Sequence, residues 1–118
     1  GLIKKHIKEK VVMVTGAGGS IGAEISNQVL QNDPKRLIIF DVNEFSLYSI
    51  KQELQDQKTK VEINSILGDV RDQDRVKQVC ETFSVETIYH AAAYKHVSLV
   101  EENPFEAVSN NIFEDNKC

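Results

Sequence analysis

Val11-Val12-Met13-Val14-Thr15 runs directly into Gly16-Ala17-Gly18-Gly19-Ser20-Ile21-Gly22, and this junction constrains the fold more than any other part of the chain. An unbroken run of apolar or β-branched residues reads as a strand covered on both faces, the environment of a parallel sheet. Gly16 permits a tight turn as the strand ends, and Gly18 and Gly19 allow φ > 0 or a close approach of the backbone to a ligand. Gly22 falls in the first turn of the following helix, where a missing Cβ permits close helix–strand packing, and Ser20 can cap that helix or donate to a phosphate oxygen. A second apolar run, Leu37-Ile38-Ile39-Phe40, ends in Asp41, 19 positions beyond Gly22 (41 − 22). Strand, glycine turn, helix, strand and terminal carboxylate, in that order, form the layout of a dinucleotide-binding βαβ unit.

The chemistry explains the residue types. A pyrophosphate sits against free backbone N–H groups at a helix N-terminus, where the dipole is positive and side chains would only hold the phosphates away. The spacing is not G-x-G-x-x-G, because Ile21 stands three residues after Gly18; it reads T-G-x-x-G-x-x-G over Thr15, Gly16, Gly19 and Gly22. That variant resembles the turn of the short-chain dehydrogenase/reductase superfamily. No glycine is followed by lysine, so a P-loop does not compete. Asp41 can accept from both ribose hydroxyls of an adenosine and would repel a 2′-phosphate, and no arginine follows among Val42-Asn43-Glu44. NAD is therefore expected in preference to NADP, with NADP still open. Two plainer readings stand beside this one: a strand–helix turn without ligand, and an Asp41 that only caps the next helix.

Periodicity extends the pattern along the chain. Residues 1–9 can form a short amphipathic lead-in helix with Leu2, Ile3 and Ile7 on one side. Strands are expected over about 11–15, 36–41, 61–67 and 87–91, and helices over about 20–31, 44–57 and 72–83. Alternation in the third strand, where Val61, Ile63 and Ser65 interleave with Glu62, Asn64 and Ile66, suits an edge with one partly wet face. After the fourth strand a loop is expected, and then a helix starting near Asn103-Pro104. Alternating strands and helices give an α/β fold: a partial Rossmann-type parallel sheet of about four strands in the order 3-2-1-4, with helices on both faces and the nucleotide at the carboxyl edge between strands one and four.

The 118 residues suffice for one domain, and 41% hydrophobic with 27% charged residues fits a globular chain. A net charge of −4 argues against a nucleic-acid partner. No apolar run has membrane-spanning length, and residues 1–10 are basic and polar, without a signal-peptide core. Gly1 in place of Met suggests an excised chain. Cys80 and Cys118 have no metal or redox spacing; Cys80 reads as a small buried apolar residue and Cys118 as a free terminal thiol, consistent with a reduced, cytoplasmic setting. His6, His90 and His96 have no cysteine or carboxylate at ligand spacing, so no metal site is expected.

The sequence is more specific at its fourth strand. Ile88-Tyr89-His90-Ala91-Ala92-Ala93-Tyr94-Lys95-His96-Val97, followed by Val100-Glu101-Glu102-Asn103-Pro104, joins Asp41-Val42-Asn43-Glu44-Phe45-Ser46-Leu47-Tyr48 and Leu67-Gly68-Asp69-Val70-Arg71-Asp72. From about Val11 to about Phe113 this resembles the capsule and O-antigen polysaccharide-biosynthesis branch of the extended short-chain dehydrogenases, which includes UDP-N-acetylglucosamine 4,6-dehydratases. The resemblance implies that Gly16, Gly18, Gly19, Ser20, Ile21 and Gly22 hold the pyrophosphate, that Asp41 holds the adenosine ribose, and that Asp69 and Val70 contact the adenine. It implies that Ala91, Ala92 and Ala93 line the nicotinamide side and that Lys95 and His96 face a UDP-sugar substrate. Lys95 as a solvated loop lysine and His96 as a loop hydrogen-bonder remain the plainer alternatives. The implied reaction is redox-neutral: a hydride leaves C4 of a UDP-hexosamine, water is lost across C5–C6, and the hydride returns to C6.

The chain departs from that family in two respects: Asn111-Ile112-Phe113 runs into Glu114-Asp115-Asn116-Lys117-Cys118 where the family continues into Gly-Thr, and the family's catalytic element does not occur. Tyr48, Tyr89 and Tyr94 are followed four residues later by Gln52, Ala93 and Ser98, and Met13 by Ala17, so neither Y-x-x-x-K nor M-x-x-x-K occurs. Residues 1–118 are thus expected to be the N-terminal part of a single NAD(P)-binding Rossmann domain, lacking the catalytic and sugar-binding C-terminal part and inactive alone. The parent protein would be a cytoplasmic enzyme, with an inner-membrane anchor left open. In such a half-domain the fourth strand would be an exposed apolar edge, which pairs with another chain or a covering segment, so dimerisation or aggregation is expected. A stand-alone NAD-binding or scaffold module and a nucleotide-sugar epimerase fragment are the alternatives.

Overall fold

The computed structural model describes residues 3–91, and residues 95–98 by their backbone. Among the described residues five strands form one sheet: β1 (Val11–Thr15), β2 (Arg36–Asp41), β3 (Glu62–Leu67), β4 (Thr87–His90) and β5 (Lys95–Ser98), in the order β3-β2-β1-β4-β5. The first four run parallel, with Val11 level with Arg36, Leu37 with Ile63 and Met13 with Ile88. This is the doubly wound arrangement expected, with its topological switch between β1 and β4.

The connecting helices are α1 (Ser20–Leu30), α2 (Glu44–Gln55) and α3 (Gln73–Phe83). Alternate side chains of the central strands serve opposite faces. Val12, Val14, Leu37, Ile39 and Tyr89 pack with Ile25, Val29 and Leu30 of α1 and Leu47, Ile50 and Leu54 of α2. Val11, Met13, Ile38, Phe40 and Ile88 pack on the other side with Val76, Val79 and Cys80 of α3. Cys80 is buried, as its helical position suggests, and burial followed by the nearby Glu81 charge pushes its thiol up to about 12. β3 is the outer strand on its side and keeps exposed ends at Glu62 and Leu67, in keeping with its alternating sequence.

Helix ends follow local chemistry. The Asn43 side chain accepts from Ser46 N at 2.8 Å and opens α2, and Asp72 accepts from Arg75 N at 3.1 Å and opens α3. Ser84, at φ 54°, closes α3 in the left-handed conformation.

Three expectations are corrected. The lead-in is a single 3₁₀ turn, Lys4–His6, rather than an amphipathic helix. Of its apolar residues Ile7 enters the core while Ile3 stays exposed, and Glu9 turns the chain at φ 59°. The fourth strand is not an edge: residues expected in a loop form β5, antiparallel to β4, with Tyr89 level with His96 and His90 level with Lys95. An antiparallel neighbour needs only a short connection, which the period-2 and period-3.6 patterns of the longer elements do not reveal. Third, Ser20 is not a cap: Gly19, in extended backbone, is the N-cap of α1, and Ser20 is its first helical residue. Ala92, Ala93, Cys118 and the helix expected from Asn103-Pro104 lie outside the described residues.

Candidate functional site

At the carboxyl end of β1 the backbone reverses through Gly16, at φ +67°, a conformation that only glycine adopts without strain. Gly18 and Gly19 do not take the positive φ that Gly16 does; Gly18 is required sterically, whereas a Cβ on Gly19 would meet only the Gly16 oxygen at 3.7 Å. A Cβ on Gly18 would stand 2.5 Å from Ser46 Cβ, which shows that the turn is packed against the first turn of α2. A Cβ on Gly22 would stand 1.9 Å from the Gly16 carbonyl oxygen, so α1 can seat on the turn only without a side chain there. The helix start therefore lies close over the strand end. Its first-turn N–H groups at Ser20, Ile21 and Gly22 belong to the set that no intrahelical carbonyl satisfies.

Asp41 closes this arrangement. One oxygen accepts from Gly18 N at 2.7 Å and the other from Asn43 N at 2.9 Å, with the residue 9% exposed. It does not cap α2, whose cap is Asn43. Each carboxylate oxygen accepts one N–H in these bonds and retains a lone pair for a further donor. The carboxylate thus couples the glycine turn to the end of β2, a link between positions 23 apart that sequence spacing does not announce. Main-chain bonds extend the rim: Ala17 N donates to Phe40 O at 3.2 Å, Gly68 N to Asp41 O at 2.9 Å, and Ala91 N to Thr15 O at 3.1 Å.

The rim consequently orders Gly16–Gly22, Asp41, and Asp69 with Val70 along the carboxyl ends of β1, β2 and β3. Ala91 stands on the other side of the switch, its Cβ 3.4 Å from where a Gly16 Cβ would be. Val70 packs half-buried against the α3-side core. Asp69 is gripped by Arg71, whose backbone N and Nε donate to Oδ1 at 2.9 and 3.2 Å and whose terminal nitrogen donates to Oδ2 at 2.8 Å. The guanidinium bonds first, and the backbone bond second, hold the Asp69 carboxyl down to about 2. The described backbone places Lys95 and His96 on β5, beside His90 and Tyr89, and not in a loop.

Sequence reasoning missed a buried bond beneath the crevice. Thr15 Oγ1 lies 3.0 Å from His90 Nδ1, joining β1 to β4 at the switch point. Both residues stand at the ends of apolar strands, where a threonine and a histidine would otherwise be out of place, and that was the available signal. It also missed Phe40, whose ring would meet a Cβ on Gly68 at 2.7 Å, which explains a glycine where β3 leaves the sheet. A groove of about 510 Å³ lies at the opposite, amino end of the sheet, lined by Val11, Arg36, Phe83 and Glu86 among others, remote from this rim. Among the described residues no helix is long and apolar enough to cross a membrane.

Comparison with known proteins agrees with the architecture. The chain is 45% identical over 112 residues to the capsular polysaccharide biosynthesis protein CapD of Staphylococcus aureus, covering 94% of this chain and 19% of that protein. It is 31% identical over 105 residues to an inverting UDP-N-acetylglucosamine 4,6-dehydratase of Campylobacter jejuni, covering 88% of this chain and 30% of that one. Among solved structures, Pen from Bacillus thuringiensis superposes with a TM-score of 0.65 at 38% identity, over 94% of this chain and 33% of that one. NAD⁺-bound xylitol dehydrogenase superposes with a TM-score of 0.56 at 26% identity, over 66% and 30%. The chain thus spans 19% to 33% of the length of these proteins. The model of one family, described as polysaccharide biosynthesis protein, matches residues 12–118, and the chain belongs to that family.

Proposed function

We propose that this chain is the cofactor-binding part of an NAD-dependent nucleotide-sugar 4,6-dehydratase acting on a UDP-N-acetylhexosamine in bacterial surface polysaccharide synthesis. The observation that carries the proposal is the coupled turn: Gly16 in the left-handed region, α1 seated on it at Gly22, and Asp41 bonded to Gly18 N at 2.7 Å. A dinucleotide fits this cradle. Its pyrophosphate would meet the first-turn N–H groups of α1, and its adenosine ribose would meet Asp41, whose charge disfavours a 2′-phosphate. The dehydratase among the relatives and the NAD⁺-bound dehydrogenase among the similar structures support the same assignment.

When bound, the nicotinamide supplies hydride acceptance and return, the chemistry no side chain here can perform. The chain's own residues bind and orient. The Thr15–His90 bond fixes the ends of β1 and β4, and Ala91 keeps the crevice narrow beside Gly16. Lys95 and His96, on β5, are assigned to the sugar-nucleotide side, and Ala92 and Ala93 to the nicotinamide side. No Y-x-x-x-K or M-x-x-x-K element occurs in the sequence, so the chain by itself binds cofactor without turning over substrate.

Calorimetric titration of NAD⁺ and NADP⁺ tests this reading, with Asp41→Ala alongside. Saturable NAD⁺ binding, weaker NADP⁺ binding and loss of that preference in the variant are expected. Equal binding of both nucleotides by the wild-type chain would refute the role given to Asp41, and binding of neither would refute the cofactor assignment.

A further inference from the structure

The cofactor assignment above, with the family resemblance, implies where the nucleotide base would lie. With phosphates on the glycine turn and ribose at Asp41, the base would reach the pair Asp69-Val70 beyond β3, next to Gly68, whose N donates to Asp41 O at 2.9 Å. Asp69 stands there with an unusual acceptor inventory. Oδ1 already takes two N–H groups from Arg71, at 2.9 and 3.2 Å, which fills its two lone-pair directions. Oδ2 takes one, at 2.8 Å, and keeps one. Asp72 N donates to Asp69 O at 2.9 Å and fixes the backbone of the same turn.

The Arg71 side chain is 84% exposed and that of Asp69 36% exposed. A pair so open to water adds little to stability. What a two-pronged guanidinium does supply is direction, because its fork fixes the plane of the carboxylate. We propose that Arg71 is a positioning residue for base recognition: it orients Asp69 so that the single remaining acceptor on Oδ2 reads an exocyclic amino group and repels a carbonyl at the same place on the base. This deepens the cofactor assignment above and rests on it. The ionised carboxylate is acceptor-only, so adenine, with its 6-amino group, satisfies it, whereas hypoxanthine sets an oxygen against an oxygen. Arg71 also keeps that carboxylate ionised far below neutral pH.

The test is titration of NAD⁺ and its hypoxanthine analogue into the wild-type chain, Arg71→Ala and Arg71→Lys, with thermal unfolding as the check on folding. A charge-assisted bond to a base amino group corresponds to a preference of about tenfold or more for NAD⁺ in the wild type. In Arg71→Ala the ratio falls toward unity, chiefly through weaker NAD⁺ binding, while Arg71→Lys, with charge but no fork, lies between. An unchanged ratio in Arg71→Ala, or an equal loss for both dinucleotides, overturns the role of Arg71 while leaving the cofactor site standing. Absence of NAD⁺ binding by the wild-type chain overturns both.

Discussion

Replacing Gly22 by alanine should damage this chain more than any conservative change at its surface. The added Cβ would stand 1.9 Å from the Gly16 oxygen, 2.7 Å from Gly16 C and 2.8 Å from Ala17 Cα. Real Cβ atoms essentially never come closer than 3.0 Å, so α1 must withdraw from the turn by at least 1.1 Å (3.0 − 1.9). All three obstructing atoms are backbone, and none can rotate aside. Alanine returns about 1 kcal/mol of helix propensity, whereas overpacking of a rigid contact costs about 3 kcal/mol. The net loss is about 2 kcal/mol, or a fall of about 1–2 M in urea midpoint for a chain of this size. Gly19→Ala is the control, because its Cβ would meet only the Gly16 oxygen at an ordinary 3.7 Å; loss of glycine at that N-cap should cost less than about 1 kcal/mol. Urea unfolding followed by circular dichroism measures both. A Gly22→Ala chain as stable as wild type, or less damaged than Gly19→Ala, would refute the close seating of α1 on the turn.

Three further outcomes are expected. Thr15→Val removes the hydroxyl paired with His90 Nδ1 and leaves a buried ring nitrogen without that partner, costing about 1–3 kcal/mol in the same unfolding measurement; an unchanged midpoint would show that the bond does not brace the switch point. The folded-state depression of the Asp69 carboxyl means that its pairing with Arg71 is complete above the ordinary carboxylate range and is lost as pH falls toward about 2. A carboxyl NMR titration should find that midpoint, moving up toward 3.8 in Arg71→Ala; an ordinary value in the wild type would contradict the pairing. In a Cys118→Ser background, Cys80 should resist an electrophilic thiol reagent at pH 8 until the chain unfolds, because burial pushes its thiol up to about 12; rapid native-state labelling would mean that α3 opens readily.

Much of the architecture was legible because its elements are long and periodic. Strand Val11–Thr15 follows its apolar and β-branched run, strand Arg36–Asp41 extends the apolar run Leu37–Phe40 by one residue at each end, and Gly22 marks the close approach that the geometry requires. What escaped depends on contacts between distant positions. The latch from Asp41 to Gly18 and the brace from Thr15 to His90 join residues 23 and 75 positions apart, and no local pattern encodes either. Lys95-His96-Val97-Ser98 carries a single strong strand former, so β5 depends on the edge offered by β4 rather than on its own propensity. The lead-in spacing of Leu2, Ile3 and Ile7 suggested a helix, but the core accepts Ile7 and leaves Ile3 outside.

The central claim is that the carboxyl rim from Gly16 to Asp69 is the nucleotide site. The most direct measurement is backbone amide NMR of the chain titrated with NAD⁺. The account predicts saturable shifts concentrated at Gly18, Gly19, Ser20, Ile21, Gly22, Asp41, Asp69, Val70 and Ala91. Shifts centred instead on Lys35, Phe83 and Glu86 at the amino-end groove, or no saturable shifts at any nucleotide concentration, would contradict it.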